Sequence, residues 1–175
     1  MPCPTRIRPA TEDDADGLVR LRVHTIREAY AGTMPLEFAD PVSEHERAVQ
    51  LRATIRSGAR TWLIAVAGDE LVGACALAVA RDSDKPAHSG EIIMIAVAST
   101  HRRHGHGLAL LNAARSVALD RGWGELVLWV VATYPEARAF YAHAGFSADG
   151  SEKVDASLGF SAPLVRYRSS IVAVR

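Results

Sequence analysis

Residues 102–107, with the sequence RRHGHG, combine basic side chains with two glycines directly before a segment of helical apolar spacing. A helix that begins at a glycine-rich turn presents unpaired backbone N–H groups and the positive end of its dipole, and both attract an anion. Gly105 and Gly107 let a phosphate approach closely, while Arg102 and Arg103 add charge-assisted contacts. This segment, which we call the cradle, is therefore predicted to hold a diphosphate group.

The remaining predicted contacts of the cradle are backbone N–H groups of His104 and His106, together with Leu108 in the next turn. No Gly-Lys-Ser/Thr follows, as a P-loop requires, and the third glycine of the dinucleotide-binding pattern is missing, so neither ATP nor NAD is favoured. Gly-x-Gly alone also occurs at ordinary helix starts. The neighbouring segments must therefore decide what the cradle binds.

The elements around the cradle predict an α/β domain. A β-prone run, residues 91–97, precedes it, and a helix follows that ends near Gly122. Residues 126–131 form the next strand, and Pro135 and Gly145 mark the start and end of another helix.

The first third of the chain supplies a strand at residues 5–8 and two helices, from Thr11 to Gly32 and from Ser43 to Gly58. A hairpin then joins residues 61–67 to 71–80, residues 81–86 form a solvated loop, and residues 164–172 form the last strand. With no repeat or linker, residues 1–175 are predicted to be a single domain with a mixed sheet.

Composition excludes several classes of function. Twenty basic residues against twenty acidic ones give a formal charge of zero, so neither nucleic acid nor a membrane surface is an expected partner. The chain shows no secretory signal and no apolar run of the ~20 residues that span a bilayer, so a cytoplasmic location is expected. Cys3 and Cys75 are expected to be free thiols. The histidines of the cradle and His101 lack the spacing of metal ligands, so no metal is expected.

Two segments together carry a resemblance to a known family. Arg102, Gly105 and Gly107 fit the signature Gln/Arg-x-x-Gly-x-Gly/Ala, and residues 137–146 (ARAFYAHAGF) fit the segment Ala-x-x-Phe-Tyr-x-x-x-Gly-Phe. Both motifs resemble those of the GCN5-related N-acetyltransferase (GNAT) superfamily. The resemblance implies a central, largely antiparallel sheet of about seven strands with about four helices, and a splay between the fourth and fifth strands. It also implies acetyl-coenzyme A as the acyl donor.

The resemblance further implies roles for individual residues. The strand before the cradle would bulge at Ala96 and Val97, and the freed N–H of Val97 would stabilise the developing oxyanion. Tyr141 would protonate the departing thiolate, and Glu91 would deprotonate the amine. Two alternatives stay open: Tyr141 packs its ring beside aromatic neighbours without meeting the sulfur, and Glu28, Tyr30 or a water chain replaces Glu91 as the base.

The acceptor side is less defined. The region between the first two helices shapes the acceptor pocket in relatives, which points to Tyr30 and Phe38, and Trp129 is a further pocket candidate. Tyr134 stands where the family commonly has asparagine, and it is assigned to the coenzyme site.

The expected activity is direct acetyl transfer from acetyl-coenzyme A to a primary amine, most simply that of a small molecule. Alternatives are a protein N-terminus or lysine as acceptor, or a coenzyme A-binding regulatory module without turnover. A homodimer is also left open.

Overall fold

The computed structural model describes residues 5–29, 41–155 and 161–172. Its strands and helices alternate much as the sequence predicts, with short 3-10 turns at Glu12–Asp14 and Ser99–His101. In chain order the elements are β1 (Thr5–Pro9), α1 (Ala15–Ala29), α2 (Pro41–Ser57), β2 (Thr61–Ala67), β3 (Glu70–Val79), β4 (Ser89–Val97), α3 (His106–Asp120), β5 (Glu125–Val131), α4 (Pro135–His143), β6 (Ser147–Asp155) and β7 (Ala162–Ser170).

The strands form one seven-stranded sheet in the order β1-β2-β3-β4-β5-β7-β6. The β1–β2, β5–β7 and β6–β7 pairs are antiparallel, whereas β4 and β5 are parallel. The parallel ladder runs from Ser89↔Glu125 to Ile92↔Leu128, while β4 itself continues to Val97. The predicted mixed, largely antiparallel sheet with four helices is confirmed.

Contacts divide the chain into two compact units, each assembled from separate stretches. Unit 1 comprises Met1–Ala76 and Met94–Ala113, and unit 2 comprises Leu77–Ile93 and Ala114–Arg175. None of the helices among the described residues has the length and apolar composition that a membrane span requires.

In unit 1, α1 packs on α2 through the buried residues Val19, Val23 and Ala48, with Leu51 at the margin. The start of α1 is held by Asp14, whose carboxylate accepts two bonds from Arg8 and one from the Thr11 backbone N–H. These contacts hold the pKa of Asp14 down to about 2. The arrangement explains why Thr11 reads as a helix-start residue in the sequence.

In unit 2, the buried part of β5 consists of Leu126, Val127, Leu128 and Val130. The near-continuous apolar run is what a parallel strand covered on both faces requires. Later in the same unit, α4 ends at His143, and Gly145 follows the C-cap residue Ala144 with a φ of 84° that makes glycine the natural residue there.

β4 begins at Ser89, two residues before the predicted start, because Ser89 and Gly90 are buried against the first residues of β5. A Cβ atom on Gly90 would lie 2.1 Å and 2.4 Å from two ring carbons of the buried Trp123, and 2.8 Å from Leu126. Glycine is therefore required at this position by close packing.

Gly90→Ala is accordingly expected to lower the free energy of unfolding by about 1–3 kcal/mol or more, because Trp123 must move within a packed core. Urea denaturation of the full chain measures this loss. Gly124→Ala is the matched control, because its Cβ would meet only His88, at an ordinary 3.5 Å. Equal stability of the two variants would contradict the steric argument.

β6 was not among the strands predicted from the sequence. Its residues are polar and mostly exposed, it lies at the edge of the sheet, and its register with β7 shifts between Ala148 and Glu152. An edge strand without an apolar face gives no alternating hydrophobic pattern, so periodicity could not identify it.

Candidate active site

The cradle lies in unit 1, between the 3-10 turn at Ser99–His101 and the first turn of α3. Arg102 is extended, whereas Arg103 and Gly105 have positive φ angles of 63° and 82°. Left-handed residues within a turn are typical of the concave backbone arrangements that bind anions. A positive φ at the non-glycine Arg103 is uncommon and marks the turn as specialised.

The amides at the start of α3 are available to a ligand. The first helical bond that reaches back into the turn runs from the Ala109 N–H to the Gly105 carbonyl, at 2.9 Å. The amides of His106, Gly107 and Leu108 precede it and so have no acceptor within the helix. Together with the helix dipole they supply the donors that the predicted anion site needs, and anion binding itself stays a prediction.

His106 does more than contribute a backbone N–H. It is 6% exposed, and its Nδ1 is hydrogen-bonded to Thr5 Oγ1 at 2.8 Å, which ties the start of α3 to β1. Burial, reinforced by the nearby positive forms of His101 and His104, lowers its pKa and favours the neutral ring. This contact could not be predicted from the sequence, because Thr5 is 101 residues away.

One positive charge of the cradle, that of Arg102, forms an ion pair with Glu28. Arg102 Nη2 lies 3.4 Å from Glu28 Oε2, in a pair whose two side chains are 44% and 32% exposed. Such a pair contributes little to stability, about 0–1 kcal/mol. A phosphate can therefore displace Glu28 from Arg102 at small cost.

The end of β4 lies in the same unit. On β3, a Cβ at Gly73 would lie 3.1 Å from the Ala96 carbonyl oxygen and 3.4 Å from Val97, so the backbones approach closely there. The Ala98 N–H donates to the Val72 carbonyl at 2.9 Å. The predicted bulge at Ala96 and Val97 stays a prediction.

In unit 2, Glu91 is only 4% exposed and is held by Arg81. Arg81 Nε donates to Oε2 at 3.1 Å and Nη2 to Oε1 at 3.0 Å, and this pairing raises the pKa of Arg81. A bidentate guanidinium contact fixes the orientation of the carboxylate. The sequence did not reveal Arg81 as its partner, since the residue lies in a loop that reads as solvated.

Tyr141 lies on α4 and is buried among aromatic rings. Its ring centroid is 5.3 Å from that of Phe140, 6.1 Å from Phe146 and 6.5 Å from Tyr167. The packing that the sequence offered as an alternative therefore exists. It fixes the ring and leaves the role of the hydroxyl as a prediction.

Tyr134 and Trp129 occupy different settings. Tyr134 is the N-cap residue of α4 and half-buried, and its carbonyl accepts the Arg138 N–H.

Trp129 is half-buried on β5, donates from Nε1 to Asp82 at 3.0 Å, and has Lys153 Nζ 4.0 Å from its ring centroid. Its predicted place in the acceptor pocket stays a prediction.

The predicted site residues thus fall into two sets. Unit 1 carries the cradle, Ala96, Val97 and Leu108, while unit 2 carries Glu91, Trp129, Tyr134 and Tyr141. Tyr30 and Phe38 lie outside the described residues. Among the described residues, no three or more His, Cys, Asp or Glu side chains are grouped to hold a metal ion.

Comparison with known sequences decides the family. The sequence model of the Acetyltransferase (GNAT) family matches residues 23–146. The chain belongs to the GNAT family. The match covers the cradle and α4, which are the two segments that carry the resemblance in the sequence, and it makes the chain an acyltransferase. No curated protein sequence matches.

Solved structures share the GNAT fold at low sequence identity. The PaiA N-acetyltransferase of Thermoplasma acidophilum, in complex with coenzyme A, has a TM-score of 0.76 at 19% identity, over 95% of this chain and 99% of that one. Ribosomal-protein-alanine N-acetyltransferase of Brucella melitensis gives 0.73 at 24%, over 94% and 99%. YncA, a putative acetyltransferase of Salmonella typhimurium with acetyl-CoA, gives 0.74 at 16%, over 98% and 96%.

Proposed function

We propose that this GNAT acetyltransferase transfers the acetyl group of acetyl-coenzyme A directly to a primary amine of a small molecule. The observation that carries the proposal is the cradle, where positive φ angles at Arg103 and Gly105 precede the free amides of α3. Two of the structural neighbours were crystallised with coenzyme A or acetyl-CoA.

The residues present fit the donor. The amides of α3 and the side chains of Arg102 and Arg103 suit a diphosphate, and no carboxylate of the described residues other than Glu28 is paired with Arg102. The donor supplies an activated thioester. The backbone near Val97 would orient its carbonyl and stabilise the negative charge that develops on oxygen.

The transfer moves two protons. The attacking ammonium must lose a proton before nitrogen can bond to the carbonyl carbon, and the departing thiolate gains one as the carbon–sulfur bond breaks. We assign Tyr141 as the donor to sulfur. Glu91, fixed by Arg81, is assigned to accept the amine proton, either directly or through water.

Gly105→Ala tests the cradle. Alanine at a φ of 82° costs about 1–2 kcal/mol, so the turn is expected to leave its anion-binding conformation and the Kd for coenzyme A to rise about tenfold. Isothermal titration calorimetry measures the change.

Gly58→Ala is the matched control for this variant. Gly58 also lies in unit 1, has a φ of 65° and has open space where its Cβ would project. It is expected to lose similar stability with an unchanged Kd. If both variants bind coenzyme A as tightly as the parent, or if both lose affinity equally, the assignment of the cradle is wrong.

Zero formal charge favours a small acceptor over a basic protein tail. The assay is release of coenzyme A thiol from acetyl-coenzyme A in the presence of small primary amines, and separately of peptides with a free N-terminus or lysine. Turnover with amines and not with peptides is expected. Turnover confined to peptides would assign a protein acceptor, and tight coenzyme binding without turnover on either panel would contradict the proposal.

A further inference from the structure

A cavity of about 180 Å³ lies in unit 1, between α1, α2 and the start of β2. None of the residues that line it belongs to the cradle. Pockets that hold drug-sized ligands measure ~300–1,000 Å³, so this cavity suits a smaller molecule. It has room for roughly six waters, at ~30 Å³ each.

One side of the cavity is apolar. Leu18, Val19 and Val23 reach it from α1, Leu51 from α2 and Trp62 from β2. On α1 these positions are spaced so that they share one helical face, and all except Leu51 are buried. A ligand that fills the cavity must therefore present an apolar body.

The rest of the lining carries three guanidinium groups, those of Arg22, Arg47 and Arg60. Arg47 and Arg60 are half-buried, whereas Arg22 exposes part of its surface but has its guanidinium surrounded by protein atoms. Burial of the guanidinium, together with the positive charges of Arg47 and Arg60, lowers the pKa of Arg22. Like charges gathered at a cavity repel one another, and a bound anion removes that repulsion.

The neighbouring arginines of α2 behave differently. Arg52 pairs with Asp16, and Arg56 pairs with Glu12 at 2.5 Å, so α2 has acidic partners on one stripe of its surface. Within residues 5–29, 41–155 and 161–172, neither Arg22 nor Arg60 forms an ion pair. Two of the three arginines at the cavity, Arg22 and Arg60, thus have no counterion among the described residues.

Trp62, which also lines the cavity, carries a hydrogen-bond donor that lacks an acceptor. It is 8% exposed, and its Nε1–H is the buried side-chain group without a hydrogen-bond partner among the described residues. A buried donor without an acceptor is costly, because it has lost its hydrogen bond to water without gaining another. Because this N–H is closed to water, a ligand oxygen reaches it only after a small movement of the side chains around it.

We propose that the cavity binds a small organic acid, with its carboxylate held by Arg22, Arg47 and Arg60 and its apolar body packed against Leu18, Val23 and Trp62. Arginine forks match carboxylates in geometry as well as charge. The site would be separate from the cradle, and the proposal does not rest on the proposed acetyl transfer.

Benzoate and benzamide form the matched pair of probes, because they share a ring and differ in charge. The full chain, labelled with nitrogen-15, gives an indole N–H resonance for Trp62 that the Trp62→Phe spectrum identifies. Benzoate is expected to shift that resonance in a saturable way. Benzamide is expected to bind about tenfold more weakly or not at all.

The double variant Arg22→Gln/Arg60→Gln is expected to weaken benzoate binding about tenfold or more. Arg52→Gln/Arg56→Gln removes the same charge from the ion-paired stripe of α2 and is expected to leave the affinity unchanged. An unmoved Trp62 resonance, equal affinity for benzamide, or equal loss in both double variants would overturn the proposal. The wild-type comparison of the two probes stands even if a variant fails to fold.

Discussion

Replacing Tyr141 with phenylalanine is expected to lower kcat for acetyl transfer by about 10²–10⁴-fold, the usual contribution of a positioned general acid. The substitution keeps the ring that packs against Phe140, Phe146 and Tyr167, so the Kd for coenzyme A should change little. Steady-state thiol release and calorimetric coenzyme binding measure the two quantities separately.

Tyr167→Phe is the matched control for this variant. Tyr167 is buried beside Tyr141, and its hydroxyl accepts a hydrogen bond from Arg138 Nε at 3.3 Å. Losing that hydroxyl should cost stability without a comparable loss of kcat. Unchanged turnover in Tyr141→Phe, or equal losses in both variants, would remove Tyr141 from the chemistry.

Arg166→Met is expected to lower the free energy of unfolding by about 3–5 kcal/mol, or to prevent folding, because it leaves the largely buried carboxylates of Asp82 and Asp149 without the Arg166 guanidinium. The Arg166 side chain is 4% exposed and lies 3.0 Å from Asp82, 2.5 Å from Asp84 and 2.7 Å from Asp149. It also donates to Ser151 at 2.7 Å. Urea denaturation measures the loss.

Arg56→Met provides the comparison, since Arg56 also forms an ion pair but is 70% exposed. Exposed pairs contribute little to stability because water screens them, so this variant should remain close to the parent. If Arg56→Met and Arg166→Met lowered the free energy of unfolding by similar amounts, burial would not be the reason that Arg166 stabilises the fold.

The ion pairs of Arg166 with Asp82, Asp84 and Asp149 also make the stability of the fold depend on pH. The Arg166 guanidinium lowers the pKa of Asp84 from 3.8 to about 2, and bonds from Ser151 and Arg166 lower that of Asp149. Carboxyls with depressed pKa values stabilise the fold above pH 3.8, and this contribution is lost as the pH falls through about 2. As the pH falls from 7 to about 2, the free energy of unfolding should therefore decrease less in Arg166→Met than in the parent, each measured relative to its own value at pH 7.

Local signals were sufficient for the cradle. Glycines and arginines within six positions predicted the turn, and α3 begins at His106, inside the predicted segment. The mixed, largely antiparallel character of the sheet followed from the element order and the family resemblance, whereas the order of its strands was not predicted. These features depend on short-range backbone preferences, which a single sequence expresses directly.

Contacts between distant segments were not predictable. Arg166 meets Asp82 across 84 residues, and the loop that carries Asp82 and Lys85 reads as solvated, although Lys85 is 9% exposed between Glu125 and Asp149. A charged loop residue has the same local pattern whether it faces water or a buried guanidinium. Only tertiary structure distinguishes the two cases.

The polar composition of β6, because of which the strand was not predicted, has a consequence for self-association. An open sheet ends in a strand with unpaired backbone groups, which is a template for another copy of the chain. On β6 the exposed charges of Glu152 and Lys153, and a register shift beside Gly150, interrupt that template. The strand that is hardest to recognise in the sequence is thus well suited to keep the sheet from growing into an aggregate.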